Sequence, residues 1–94
     1  MLLMFIVYNN AVDTEIVELV KQNASGYTKF IGVQGEGNKE PNLGTHIWPS
    51  INNCIMVALE NTKEKNIAKA VDKLKKEFPG IGISIFTTEL KKMI

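Results

Sequence analysis

Four apolar segments in the sequence have the length and composition of β-strands. The first, Leu2 to Tyr8, is apolar at nearly every position and is followed by Asn9-Asn10. A continuous apolar run of this length, bounded by turn-forming residues, is typical of a buried strand. Residues 27–34, 51–60 and 83–90 show similar, though less uniform, enrichment in β-branched and aromatic residues. The pattern therefore predicts four strands.

Two intervening segments have apolar residues at helical spacing. The first covers about residues 11–24, with Asn10 as its expected N-cap. The second begins near Asn61, where Glu64 stands in a capping-box position, and ends at Pro79-Gly80. The apolar stripes that define the two helices are Val12, Ile16, Leu19 and Val20 in the first, and Ile67, Val71, Leu74 and Phe78 in the second.

The resulting order, βαββαβ, predicts an α+β protein with the ferredoxin-like fold. Right-handed crossovers place the first and third strands in the centre of a four-stranded antiparallel sheet, in the order 4-1-3-2, with two helices on one face. The 94 residues have no internal linker or low-complexity tract, so residues 1–94 are predicted to form a single domain.

The central strands are apolar on both faces of this predicted sheet. In the first strand Leu3, Phe5 and Val7 alternate with Leu2, Met4 and Ile6, and the third strand, with Ile55 and Met56 on opposite faces, has the same character. Two helices cover only one face, and residues 91–94 are too few to cover the other. An exposed apolar patch of that size is usually an interface, so we expect a closed homo-oligomer.

Composition excludes several classes of function. The formal net charge is +1, from 11 lysines against 10 acidic residues, and arginine is absent, which argues against nucleic-acid binding. No segment has the ~20 consecutive apolar residues of a membrane span, so no membrane insertion and a cytoplasmic location are expected. No Ser/His/Asp set lies within plausible reach, and the phosphate cradle of an acylphosphatase would need an arginine, so no enzyme is predicted. Cys54 is interpreted as a buried structural thiol.

The connection between the second and third strands, residues 35–50, carries the most unusual side chains. Two to five residues would join antiparallel neighbours, yet this segment is much longer and holds the only histidine, His46, and the only tryptophan, Trp48. Long connections in compact domains are often functional. The alternative to a functional role is a structural one, in which Trp48 and Ile47 only pack at the interface between subunits and His46 is solvated.

The motif GxG…PxLGTHxWP in this loop, together with the element order, resembles the PII-like branch of the PII signalling superfamily. The resemblance covers nearly the whole chain and implies a homotrimer. It further implies that a small effector, such as an adenine nucleotide, binds between subunits at the base of the loop and at the turn before the last strand. The residues that the resemblance assigns to this ligand site are Gly35, Gly37, Thr45, His46, Trp48, Gly80 and Gly82.

Signalling through the 35–50 loop follows from the same resemblance. Lys39 and Glu40 are its expected contacts with a target protein, such as an enzyme or a transporter. The alternative is a divalent-metal-binding trimer similar to CutA. In that case threefold symmetry would gather three copies of His46 into one metal site. The sequence names no cofactor.

Overall fold

The computed structural model describes residues 1–35 and 51–94, which form one four-stranded sheet and two helices. Their order confirms the predicted βαββαβ arrangement. The regular elements are β1 (Leu2–Asn9), α1 (Asp13–Asn23), β2 (Thr28–Val33), β3 (Asn52–Leu59), α2 (Glu64–Glu77) and β4 (Ile83–Glu89), with 3-10 turns at Asn10–Val12 and Asn61–Lys63 preceding the two helices.

The sheet is antiparallel with the strand order β2-β3-β1-β4. This is the predicted order read from the opposite edge. The apolar central strands are β1 and β3, which pair from Leu2 opposite Leu59 to Asn9 opposite Asn52. The more polar strands β2 and β4 form the two edges, as expected for strands that are partly in contact with water.

The core lies between the sheet and the two helices. Alternate residues of β1 (Met4, Ile6 and Tyr8) point to this side and are at most 1% exposed, because successive side chains of a strand point to opposite faces. They pack against the helical stripes that the spacing predicted. The fully buried core includes Ile16 and Val20 from α1, Ile55 from β3 and Ile67 from α2.

The opposite face of the sheet, which we call the open face, is apolar but only partly covered within one chain. Thr28, Met56, Phe5 and Phe86 form one row across all four strands. Phe5 and Met56 are half-buried, whereas Phe86 is 60% exposed and Phe30, two residues after Thr28, is 45% exposed. The expectation of an apolar helix-free face is therefore confirmed.

The helix N-termini differ from the sequence prediction in detail. Asn9, rather than Asn10, caps the 3-10 turn that leads into α1, since its Oδ1 accepts a hydrogen bond from the backbone N–H of Ala11 at 2.9 Å. The capping box predicted between Asn61 and Glu64 does not form. A 3-10 turn precedes α2, so Glu64 is the first residue of the α-helix rather than its third, and the side-chain geometry of the box is lost.

Helix α2 presents a charged outer surface. Its exposed i,i+4 ion pairs join Lys73 to Glu77 at 3.8 Å and Lys76 to Asp72 at 3.5 Å. Such exposed pairs each contribute little to stability. At 14 residues α2 is the longest helix of the described segments, and none of their helices is both long and apolar enough to cross a membrane.

Candidate functional site

The glycines assigned to the ligand site occupy one end of the sheet. Gly35 follows the last residue of β2 by two positions and is exposed. Gly80 and Gly82 precede β4, and the carbonyl oxygen of Gly82 accepts a hydrogen bond of 2.9 Å from the backbone N–H of Asn9. The end of β1 at Asn9 also pairs with the start of β3, which is the strand next to β2. Both sets of glycines therefore lie at the same end of the sheet.

Within one chain these two sets are on opposite edges. Three inter-strand spacings separate β2 from β4, which is ~14 Å at the usual distance between neighbouring strands. Gly80 has a positive φ of 83° and fixes the tight turn after α2, a conformation that glycine adopts without a steric penalty. Among residues 1–35 and 51–94, a Cβ placed on Gly35 would meet nothing within 4 Å.

A cluster of polar side chains, which we call the Asp13 cluster, lies at the same end on the helix side of the sheet. It contains Tyr8 from β1, Asp13 from α1, Lys29 from β2 and Asn53 from β3. Oδ1 of Asp13 accepts hydrogen bonds from the Tyr8 hydroxyl at 2.6 Å and from Nδ2 of Asn53 at 3.1 Å. Nζ of Lys29 lies 3.1 Å from Oδ2 and 3.3 Å from Oδ1 of the same carboxylate. One carboxylate thus joins a helix to three strands.

Asn53 extends this cluster to a bulge in β2. Its Nδ2 also donates to Oδ1 of Asn10 at 2.9 Å, and its Oδ1 accepts a hydrogen bond from the backbone N–H of Gly32 at 3.2 Å. Asn53 pairs with Ile31 and Asn52 with Val33, so Gly32 is the extra residue. Gly32 has a positive φ of 71°, as is common for a glycine at a β-bulge.

The electrostatics of the Asp13 cluster favour the ionised carboxylate and the neutral phenol. Burial alone would raise the pKa of Asp13, but hydrogen bonds from Tyr8, Lys29 and Asn53, with the positive charge of Lys29, outweigh it and lower that pKa. Burial, the hydrogen bond to Asp13 and the negative charge of that residue raise the pKa of Tyr8 far above its usual value. Burial also raises the pKa of the Cys54 thiol.

Solved structures identify the fold. CPII from Thiomonas intermedia is a nitrogen regulatory PII-like protein. Its structure bound to ADP and bicarbonate matches 93% of this chain and 82% of the CPII chain, with 15% sequence identity and a TM-score of 0.71. The chain has the PII-like fold. A candidate PII-like signalling protein from Thermus thermophilus is 24% identical (93% and 83% coverage, TM-score 0.58). A DUF3240 family protein from Shewanella baltica is 11% identical (98% and 91%, TM-score 0.70).

No protein-family model matches the sequence, and no curated protein matches it. The PII-like resemblance first indicated by the loop motif and the element order is thus supported by the three-dimensional arrangement of the strands and helices. Over such low identities the likeness is one of fold.

Most of the predicted loop residues lie outside the described part of the chain. Of the ligand-site residues, the structure describes Gly35, Gly80 and Gly82 and brings them to one end of the sheet. The predictions for Gly37, Thr45, His46, Trp48, Lys39 and Glu40 fall outside residues 1–35 and 51–94. Within those two ranges, no group of three or more His, Cys, Asp or Glu side chains is arranged to hold a metal ion.

The Asp13 cluster was not predicted from the sequence. Its signals were two asparagine pairs, Asn9-Asn10 and Asn52-Asn53, at the ends of otherwise apolar strands, with Asp13 shortly after the first pair. Asn9-Asn10 are predicted only as a strand end and a helix cap, and Asn52-Asn53 only as part of the third strand. Lys29, which interrupts β2, was the remaining clue, because a charged residue on the helix side of a sheet needs a partner.

Proposed function

We propose that this protein is a non-enzymatic PII-like regulator that forms a homotrimer and binds an adenine nucleotide between its subunits. The PII-like fold supports the proposal, as does the structure of CPII bound to ADP and bicarbonate. Packing of the open faces around a threefold axis would remove Phe5, Phe30 and Phe86 from water, and such burial is the main driving force of association.

The observation that carries the proposal is the position of the glycines. Gly35 and the Gly80–Gly82 turn share one end of the sheet but lie on its opposite edges. One ligand cannot readily contact both in a single chain, whereas the β2 edge of one copy and the β4 edge of the next can line a common cleft. Backbone N–H groups of glycine-containing turns bind phosphate oxygens well, and the missing Cβ permits close approach.

Signalling would use the residues that join β2 to β3. In this proposal Gly37, Thr45, His46 and Trp48 contact the ligand from the base of the 35–50 loop. Lys39 and Glu40 would then contact a target protein, an enzyme or a transporter, in a manner that depends on the bound nucleotide. Because the fold has no arginine to offer, the phosphates would depend on backbone N–H groups and lysine.

Isothermal titration calorimetry with ADP tests the proposal through a matched pair of glycine variants. Within the part of the chain that the structure describes, a Cβ at either Gly35 or Gly26 would meet nothing within 4 Å, and neither glycine has a positive φ. Gly35→Ala and Gly26→Ala should therefore fold equally well. Gly26 lies in the turn between α1 and β2, at the other end of the sheet.

The expected result is saturable ADP binding by the wild type, with one site per chain. Gly35→Ala should weaken it about tenfold or more, because the added methyl group would occupy the space of the ligand, while Gly26→Ala should bind like the wild type. No heat of binding for ADP, AMP or ATP at millimolar concentration would refute nucleotide binding. Equal affinities for both variants would remove Gly35 from the site.

A further inference from the structure

The orientation of the Asn53 side-chain amide depends on the charge of Asp13. A carboxylate offers only acceptors, so the NH2 group of Asn53 must face it, and the same group also donates to Oδ1 of Asn10. The carbonyl oxygen of Asn53 is then directed at the backbone N–H of Gly32. If the amide were reversed, its NH2 group would face the Gly32 N–H, and two donors would oppose each other.

The Gly32 bulge in turn determines where β2 leaves the sheet. One extra residue on β2 shifts the pairing between Ile31 and Val33 and bends the strand. The side chain of Asn53 is the acceptor for the N–H of this extra residue. Gly35 follows three positions later, so its place at the end of the sheet depends on the geometry of the bulge.

We propose that Asp13 is a positioning residue: acting through Asn53, it fixes the Gly32 bulge and thereby holds Gly35 in place for the ligand cleft. The first part, from Asp13 to the bulge, stands on hydrogen bonds within one chain. The second part, from the bulge to the cleft, rests on the proposed function. Asp13 would touch no ligand in this role.

The charged and titratable groups that face Asp13 keep the same charge state at neutral pH, so the contacts of Asp13 with Asn53 do not switch there. These groups are Tyr8 from β1 and Lys29 from β2, and the neutral amides of Asn53 and Asn10 complete the surroundings. The lowered pKa of Asp13 and the raised pKa of Tyr8 keep the carboxylate ionised and the phenol protonated throughout the physiological range.

Amide hydrogen exchange measured by NMR on the full chain tests the first part directly. In Asp13→Asn, which keeps the size of the side chain but removes its charge, the Gly32 amide should exchange about three- to tenfold faster, the usual effect of losing one hydrogen bond. Central amides of β1 and β3, such as those of Ile6 and Val57, should change much less. Asp72→Asn removes an exposed, ion-paired carboxylate and is the matched control, with no expected effect at Gly32.

A second variant keeps the test decisive if Asp13→Asn does not fold. Asn10→Ala removes the other acceptor of the Asn53 amide at an exposed position and should increase Gly32 exchange by a smaller factor. Unchanged Gly32 exchange in the folded variants would overturn the positioning role. A uniform increase over all strands would also overturn it, because that pattern indicates global destabilisation.

ADP titration separates this inference from the proposed function. If the wild type binds ADP, Asp13→Asn should bind it about three- to tenfold more weakly, with the Gly32 change as the accompanying signature. Faster Gly32 exchange with wild-type ADP affinity would refute the connection to the cleft. If the wild type binds no nucleotide, the proposed function fails, whereas the exchange experiment still decides whether Asp13 positions the bulge.

Discussion

Phe86 on the open face provides a quantitative test of subunit association. Its side chain is 60% exposed in the single chain. A phenylalanine buries ~200 Å² when fully covered, so ~120 Å² remains for a subunit interface, worth ~3 kcal/mol at ~25 cal/mol per Å². Phe86→Ala retains a small part of that area and should cost the assembly about 2 kcal/mol per subunit.

For a trimer this cost is about 6 kcal/mol in total, since all three subunits carry the substitution. The dissociation constant of a trimer scales with the square of concentration, so the concentration at which half the chains are assembled should rise roughly a hundredfold. Sedimentation velocity over a wide range of protein concentration measures this midpoint. Lys65→Ala, on the exposed surface of α2, is the control and should leave the midpoint unchanged.

Two results would refute this reasoning. A wild-type protein that sediments as a single chain at micromolar concentration would show that the open face is not a subunit interface. A trimeric wild type with an unchanged midpoint in Phe86→Ala would place Phe86 outside the contact. Urea unfolding of the variant must accompany the measurement, because Phe86 is already partly buried and its truncation also affects the single chain.

Further predictions concern the Asp13 cluster and the glycines. Tyr8→Phe removes one of the donors to Asp13, and urea unfolding should show a loss of about 1–2 kcal/mol; an unchanged stability would contradict the hydrogen bond. The stabilisation linked to the lowered pKa of Asp13 is present above about pH 4 and is lost as the pH falls through the pKa that Asp13 has in the folded protein. The stabilisation linked to Tyr8 is present below about pH 10 and is lost as the pH rises through the raised pKa of Tyr8. The stability advantage of the wild type over Asp13→Asn should therefore shrink as the pH falls below about 4, and a pH-independent difference would exclude this linkage. Gly32→Ala should cost about 1–2 kcal/mol in urea unfolding because of its positive φ, while Gly26→Ala should be nearly neutral; equal effects would argue against the bulge. His46→Ala should weaken ADP binding in calorimetry by less than about tenfold without abolishing it, if backbone N–H groups hold the phosphates. A Zn²⁺ response of tryptophan fluorescence that this change abolishes would favour the metal-binding alternative.

The sequence by itself determined the order of elements and the faces that they bury. Local periodicity is a property of neighbouring residues, and the stripe of Ile67, Val71 and Leu74 and the unbroken apolar run of β1 carry it without reference to the rest of the chain. The central position of β1 and β3 followed from their composition and from the handedness of the crossovers. The loop motif added the PII-like resemblance, which the fold supports.

Only the tertiary structure decided which polar residues meet. Tyr8, Asp13, Lys29 and Asn53 come from four elements, up to 45 positions apart in the chain, and no local pattern reports their distances. Asn9 replaced Asn10 as the cap because a 3-10 turn precedes α1, and the bulge at Gly32 depends on an acceptor from another strand. Such contacts are fixed by strand register and helix placement, so they arise only when the whole sheet is assembled.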